Sequence, residues 1–162
     1  MNAIEQRLQR LEDIEAIRQL KARYFHACDA KDVAVIRDCF GSGEIHIDYG
    51  AIGQFHARED FVAVYVEMAC HPHVIDMHHG QNAQIHWESA ERASAVWDLY
   101  FFQVNTQTGM LTQLAGIYQD RYGKQDGRWV IVETIFAVTS SLISQNDAGI
   151  LKVLHAGAAP VG

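Results

Sequence analysis

Ala93-Ser-Ala-Val-Trp97-Asp-Leu-Tyr100-Phe-Phe-Gln-Val104 is the stretch that decides the fold. It is a dozen residues long and rich in apolar and aromatic side chains, which is typical of a β-strand of more than average length. Two further runs of this kind follow, over 110–122 and 129–141, and Lys124-Gln-Asp-Gly127 between them is a hairpin signal of the Asp-Gly type. The three runs predict an antiparallel meander of long strands.

Helical periodicity comes before the strands. Apolar residues recur at three- and four-residue steps over 4–29, 32–40 and 59–69, whereas 44–49 alternates as a short strand and the period changes to two again from Met77. Helices first and long strands afterwards predict an α+β fold, with the helices on one face of an antiparallel sheet. Because long strands coil, the sheet should wrap around the N-terminal helices as a cone with an open mouth and an apolar cavity.

Bulk properties limit the class of protein. The 162 residues suit one domain, which we place at 1–145, with a tail at 146–162 to which no structure is assigned. The net charge of −7 and the absence of a basic cluster argue against nucleic acid or a membrane as partner. No apolar run approaches the roughly 18 residues of a membrane span, and no signal peptide is evident, so we expect a soluble, cytoplasmic protein. Three unpatterned cysteines indicate reduced thiols, and the expected ligand is small and apolar or cyclic.

Polar side chains stand at positions where apolar ones are expected. Tyr24 and Asp29 end the apolar face of the first helix, and Asp48 and Tyr49 end the first strand. His78 opens the strand after the third helix. Charged groups are seldom fully buried unless they are paired or functional, so these residues are candidates for a pocket wall. Neighbours on a strand face opposite sides, so only one of Asp48 and Tyr49 should line the cavity.

Each candidate also has a structural interpretation. Tyr24 is compatible with a core aromatic residue, Asp48 with a turn residue before Gly50, and Asp98 with a partner of a cation on a neighbouring strand. Taken together, a carboxylate, an imidazole and two phenols have the composition of a general acid–base site. No motif for a nucleophile, a phosphate loop or a dinucleotide site appears. The histidine cluster His71-Pro-His73…His78-His79 does not have the spacing of metal ligands. The pattern predicts proton transfer beside a carbonyl, without a cofactor or a metal.

Three blocks carry a family resemblance: Asp29-Ala-Lys-Asp32, Ile47-Asp48-Tyr49 and His78-x-x-x-Asn82. Over roughly residues 10–140 the chain resembles the SnoaL-like branch of the nuclear transport factor 2-like superfamily. Within that branch it is most similar to the scytalone and bile acid 7α-dehydratases. The resemblance implies a cystatin-like, cone-shaped α+β barrel and a dehydratase activity.

The resemblance also implies roles. His78 would take the proton alpha to a carbonyl and then protonate the departing hydroxyl, while Asp29 would orient His78. Tyr24 and Tyr49 would hydrogen-bond the carbonyl oxygen. Asn82 and Asp48 are expected to contact the substrate. The resemblance implies two further polar cavity residues that this chain lacks, because Gln103 stands where a second histidine is expected and 134–138 contains no arginine. Asp98 is expected to replace part of this missing polar wall.

Two alternatives stay open. The chain also resembles ketosteroid isomerases, which implies a proton shuttle at Asp48, an oxyanion donor at Tyr24 and an acid near Gln119 or Asp120. The other alternative is a non-catalytic ligand-binding or assembly module. It predicts either a pocket that is filled by aromatic side chains or a separation of Asp29 and His78 that is too large for a hydrogen bond.

We also expect assembly. Helices that cover one face of the sheet leave its other face exposed, and the predicted strands are rich in aromatic residues, namely Trp97, Tyr100, Phe101 and Phe102. This predicts a homodimer or homotrimer formed through the outer face of the sheet.

Overall fold

A long N-terminal helix, α1 (Ala3–Ala30), lies against a mixed β-sheet in the computed structural model, which describes residues 2–158. Asn2 caps α1 through a reciprocal bond pair with Glu5, and Lys31 ends it in the left-handed conformation with a φ of 59°. Two shorter helices complete the helical layer in this part of the chain: α2 (Val33–Cys39) and α3 (Arg58–Ala69).

Seven strands form the sheet of the described residues: β1 (His46–Asp48), β2 (Gln54–Phe55), β3 (Val74–Trp87), β4 (Arg92–Asn105), β5 (Met110–Gln125), β6 (Arg128–Asp147) and β7 (Ile150–Ala158). The spatial order is β2-β1-β6-β5-β4-β3, and β7 pairs with the second half of β6. The sheet is curved and does not close. The predicted α+β class and the meander of long strands are confirmed.

The sheet departs from the prediction at β1. This strand runs parallel to β6, with Ile47 opposite Thr134, so the sheet is mixed rather than purely antiparallel. The pairing joins segments almost ninety residues apart in the chain. The local pattern of apolar and polar residues cannot predict a contact over that separation.

Residues 150–158, within the tail to which the sequence assigns no structure, form β7, and residues 159–162 of that tail lie outside the described residues. The turn before β7 places Ala148 and Gly149 at positive φ, 51° and 82°. Such a two-residue turn favours Asn-Gly or Asp-Gly, and alanine is unusual at its first position. The sequence therefore has the glycine of the usual hairpin dipeptide but not the asparagine or aspartate before it. Within 2–158 no helix is long and apolar enough to span a membrane.

The aromatic residues of β4 divide between the two faces of the sheet. Trp97 is buried on the inner face, and Phe101 lies on the same side and lines the cavity described below. Tyr100 is 39% exposed and occupies the opposite, outer face with Phe102. Assembly through the outer face stays a prediction.

A buried ion pair joins α1 to β5. Lys21 Nζ lies 2.8 Å from Asp120 Oδ2, and both side chains are 0% exposed. Asp120 also accepts hydrogen bonds from Thr134 and Tyr122 at 2.7 and 2.6 Å. The ammonium also lies 3.7 Å from the centroid of the Tyr118 ring. The buried pair is therefore stabilised by charge attraction and by a cation–π contact.

Gly80 permits the close approach of α1 to β3. A Cβ atom at Gly80 would overlap the ring of Phe25, which is buried and stacks on His78 with their centroids 5.9 Å apart. Asp29 lies one helical turn after Phe25. The close packing of α1 on β3 at Gly80 therefore also brings Asp29 within hydrogen-bond distance of His78.

We predict that Gly80→Ala lowers the free energy of unfolding by roughly 1–3 kcal/mol, because the added methyl must displace a buried ring. Urea denaturation measures this loss. Gly43→Ala is the matched control, since a Cβ at Gly43 meets no atom within 4 Å, and it should leave stability within about 0.5 kcal/mol. Equal stability of the two variants would contradict this role for Gly80.

Candidate active site

A half-open cavity of about 260 Å³ lies between the helices and the inner face of the sheet. Its walls come from α1, α3 and strands β3 to β6, and most lining residues are apolar or aromatic, among them Phe61, Phe101, Leu114, Tyr118 and Phe136. A groove of about 530 Å³ around Gln84, Ser94 and Gln119 is larger but open to solvent. That groove includes Gln119 and Asp120, where the isomerase alternative expects an acid, but none of Tyr24, Asp29, Tyr49 and His78, so the cavity between helices and sheet is the candidate site.

Asp29 and His78 form a hydrogen-bonded pair at the cavity wall. His78 Nδ1 lies 2.6 Å from Asp29 Oδ1. The backbone N–H of His78 donates to both carboxylate oxygens, at 3.1 and 3.2 Å, which satisfies an N–H group of the edge strand β3. Because the carboxylate accepts the Nδ1 proton, the neutral ring carries its lone pair on Nε2. The imidazole is thus oriented to act as a base.

Two aromatic rings fix the plane of the His78 imidazole. Phe25 stacks on one side at an interplanar angle of 13°, and the Phe101 ring centroid lies 4.8 Å away. The His78 side chain is 14% exposed and lines the cavity. His79 is exposed on the other face of β3, as alternation along a strand requires.

Tyr24 and Tyr49 form the second polar feature of the cavity. Their hydroxyl oxygens lie 2.9 Å apart, and the residues are 3% and 8% exposed. Burial raises the pKa of Tyr24 well above its usual value. Burial also raises the pKa of Tyr49, although the bond to Tyr24 partly offsets this. Both phenols therefore stay protonated, and since only one donates to the other, one hydroxyl hydrogen is left to donate to a ligand.

A family model described as the SnoaL-like domain matches residues 9–135. The chain belongs to this family. The fold agrees with solved structures of low sequence identity. A putative scytalone dehydratase from Novosphingobium aromaticivorans DSM 12444 is 18% identical, with 93% of each chain covered and a TM-score of 0.74. The hexachlorocyclohexane dehydrochlorinase LinA-type3 from Novosphingobium barchaimii LL02 is 19% identical over 88% of this chain and 95% of that chain, with a TM-score of 0.74.

A third neighbour describes the fold itself. It is an NTF2-like protein with a cystatin-like fold from Novosphingobium aromaticivorans, 18% identical over 83% of this chain and 87% of that chain, with a TM-score of 0.70. The expected membership of the SnoaL-like branch and the expected cystatin-like fold are confirmed.

Asp48 of this SnoaL-like chain does not reach the cavity. Its carboxylate accepts the Gly50 N–H at 2.9 Å and the Gln54 side chain at 3.0 Å, so it stabilises the turn after β1. Tyr49, the next residue, is the one that lines the cavity. Alternation turns one of these two neighbours outward, and that residue is Asp48, contrary to the expectation that it lines the substrate site.

Asn82 and Asp98 are likewise outside the cavity. The Asn82 amide donates to Asp98 Oδ2 at 2.7 Å in an exposed pair. Asn82 occupies a β-bulge with a φ of 52°, and Asp98 lies between the inward-facing Trp97 and Leu99 and so points outward. The structure therefore places both outside this SnoaL-like cavity, where the prediction of substrate contact expects them to line it.

The two acids of the isomerase alternative are also displaced. Asp48 serves the turn, and Asp120, although buried, is paired with Lys21 and does not line the cavity. The structure shows neither feature that the non-catalytic alternative predicts: the cavity of about 260 Å³ is not filled by aromatic side chains, and Asp29 and His78 are in contact at 2.6 Å. Within residues 2–158 no group of three His, Cys, Asp or Glu side chains is arranged to hold a metal ion.

Asp76 also lines the cavity, although the sequence does not single it out. Asp76 accepts a hydrogen bond from Gln103 at 2.8 Å and forms an ion pair with Lys31. It stands two residues before His78 on the same strand, so alternation alone places both on one face. Cys28 also lines the cavity, but burial raises its pKa to about 12, which excludes a reactive thiolate near neutral pH.

Buried phenols give the fold a sensitivity to alkali. Burial is the largest cause that raises the pKa of four tyrosines, Tyr24, Tyr49, Tyr118 and Tyr122. In the unfolded chain these groups lose protons from about pH 10, whereas in the folded chain they keep them. The stability they confer is present below pH 10 and falls as the pH rises further. The lowered pKa of buried Lys21 acts in the opposite direction.

We predict that the free energy of unfolding falls above pH 10, by up to roughly 1.4 kcal/mol per pH unit for each such tyrosine. Urea titrations between neutral pH and pH 11 measure the slope. Tyr118→Phe should reduce it, while Tyr100→Phe, at an exposed position, should not. A flat profile would contradict the prediction.

Proposed function

We propose that this SnoaL-like protein is a cofactor-independent lyase that removes water from a small cyclic β-hydroxy carbonyl compound. The observation that carries the proposal is the 2.6 Å contact between Asp29 and His78 at the wall of a cavity lined mostly by apolar and aromatic side chains. A base held by a carboxylate, with phenol donors in the same cavity, supports enolisation chemistry.

In the proposed reaction, His78 Nε2 removes a proton from the carbon alpha to the carbonyl. The electron pair moves onto the carbonyl oxygen, and the free hydroxyl hydrogen of the Tyr24–Tyr49 pair stabilises the enolate. The enolate then re-forms the carbonyl, the β C–O bond breaks, and the imidazolium returns its proton to the departing hydroxyl. Asp29 stabilises the imidazolium between the two steps. The products are a conjugated enone and one water molecule.

The neighbours and the cavity agree with this class of reaction. The names of two structural neighbours, a putative scytalone dehydratase and a dehydrochlorinase, both denote eliminations. The phenol pair favours a carbonyl substrate over an apolar halide, because a buried hydroxyl without an acceptor is costly. The aromatic lining favours a ring, and the volume of about 260 Å³ favours a small one.

The test is the formation of an enone. We would incubate the protein with a panel of cyclic β-hydroxy ketones, including β-hydroxycyclohexanone, and follow the ultraviolet absorption of the enone and the loss of water by mass spectrometry. We expect at least one member to react faster than in buffer. If no member of the panel gives an enone above the buffer rate, the assignment as a dehydratase fails.

A further inference from the structure

Asp76 is a buried carboxylate that the proposed reaction does not use. Its side chain is only 4% exposed, and the residue lines the cavity together with Gln103, its partner across β3 and β4. A buried carboxylate costs free energy unless it is paired or bound. Its presence on an otherwise largely apolar wall therefore calls for a specific partner.

The protein satisfies Asp76 only in part. Oδ1 accepts one hydrogen bond from Gln103 Nε2 at 2.8 Å, and Oδ2 faces the ammonium of Lys31. A carboxylate offers about four acceptor positions, so further positions remain for a donor from within the cavity. A ligand hydroxyl, which is a donor, fits this need.

Asp76 lies at the opposite end of the site from the phenols. Along α1 the order is Tyr24, then Asp29 bonded to His78, then Lys31 paired with Asp76. Five residues of helix separate Tyr24 from Asp29 by about 7.5 Å. Two residues of strand separate His78 from Asp76 by about 7 Å. The base therefore lies between two polar ends of one cavity.

We propose that Asp76 and Gln103 form a second subsite that binds a hydroxyl group of the substrate, at the end of the molecule away from the carbonyl. This rests on the proposed function, because it takes the Tyr24–Tyr49 pair as the carbonyl site. The substrate is then a ring compound with a carbonyl at one end and a hydrogen-bond donor at the other.

The competing explanation is a purely structural tie between the end of α1 and β3. Lys31 ends α1, where a cation is favoured by the helix dipole, and its pairing with Asp76 would hold the two elements together. A structural tie predicts that removing the charge of Asp76 changes stability but not the preference for one ligand over another. The subsite predicts a change in preference.

The test compares two probes, indanone and an indanone with a phenolic hydroxyl para to its carbonyl. Affinities are measured by NMR titration for the wild-type protein and for Asp76→Asn. The wild-type protein should bind the hydroxylated ketone roughly tenfold more tightly than the parent, and Asp76→Asn should remove most of this ratio. Asp98→Asn is the matched control, since Asp98 also accepts a bond from an amide but lies outside the cavity, and it should keep the ratio.

A second variant protects the test against loss of folding. Gln103→Met removes the amide and leaves the pair of Asp76 with Lys31, and it should also lower the ratio. The proposal is overturned if the wild-type protein binds the two ketones equally or binds neither, or if both variants keep the wild-type ratio.

Failure of the subsite and failure of the proposed function give different results. If only the subsite proposal is wrong, the preference for the hydroxylated ketone does not depend on Asp76, and enone formation still requires His78. If only the proposed dehydratase activity is wrong, no enone forms, but Asp76→Asn still lowers the ratio of the two affinities.

Discussion

His78→Gln is expected to lower the rate of enone formation by about 10²–10⁴-fold. Glutamine keeps a polar group near Asp29 but cannot take up and return a proton near neutral pH. The change should act on kcat more than on KM, because the apolar walls that hold the ring are retained. Steady-state kinetics on the ketone that turns over fastest measure the effect.

His79→Gln is the matched control for this prediction. The two histidines are neighbours on β3, but His79 is exposed on the opposite face and is not among the cavity residues. Its substitution should leave kcat within about twofold of the wild-type value. A folded His78→Gln protein that turns over at the wild-type rate would remove His78 from the mechanism.

Lys21→Met is expected to give the largest loss of stability, about 3–5 kcal/mol. The Lys21 ammonium lies 2.8 Å from Asp120 in a fully buried pair. Methionine preserves the length of the side chain and its packing, so the loss comes from leaving the Asp120 carboxylate buried without a counter-charge. The free energy of unfolding from urea titration measures it.

Two further variants separate the charge from the packing. Lys21→Met combined with Asp120→Asn should recover most of the loss, because neither charge then remains and Asn still accepts a bond from Thr134. Arg128→Met is the exposed control, since Arg128 lies 3.7 Å from Asp38 at the surface, and it should cost at most about 1 kcal/mol. A loss below about 1 kcal/mol in Lys21→Met would contradict a charge-stabilised link between α1 and β5.

Periodicity is sufficient to predict most elements of this fold. The apolar steps of α1 and the long alternating runs of β4, β5 and β6 are local signals, and their order alone indicates α+β. Two features have no such signal. The parallel pairing of β1 with β6 is set by tertiary contacts, and β7 follows a turn in which Ala148 occupies a position that usually favours asparagine or aspartate.

The candidate site is partly predictable for the same physical reason. The sequence predicts that Tyr24, Asp29, Tyr49 and His78 converge. In the structure Tyr24, Tyr49 and His78 line one cavity, and Asp29 is hydrogen-bonded to His78 beside it. Their catalytic roles stay predictions. Alternation with its apolar neighbours turns Asp98 outward, and the same alternation places Asp76 on the face of β3 that carries His78.

Exchange of alpha protons tests the central claim most directly, because it reports the proton transfer without requiring the leaving group. Cyclohexanone is incubated with the protein in D₂O, and loss of the alpha-proton signal is followed by NMR. The account predicts that the wild-type protein accelerates exchange over buffer and that His78→Gln abolishes the acceleration, while His79→Gln retains it. Acceleration that persists in His78→Gln, or none in the wild-type protein, would contradict the assignment of the Asp29–His78 pair as the base.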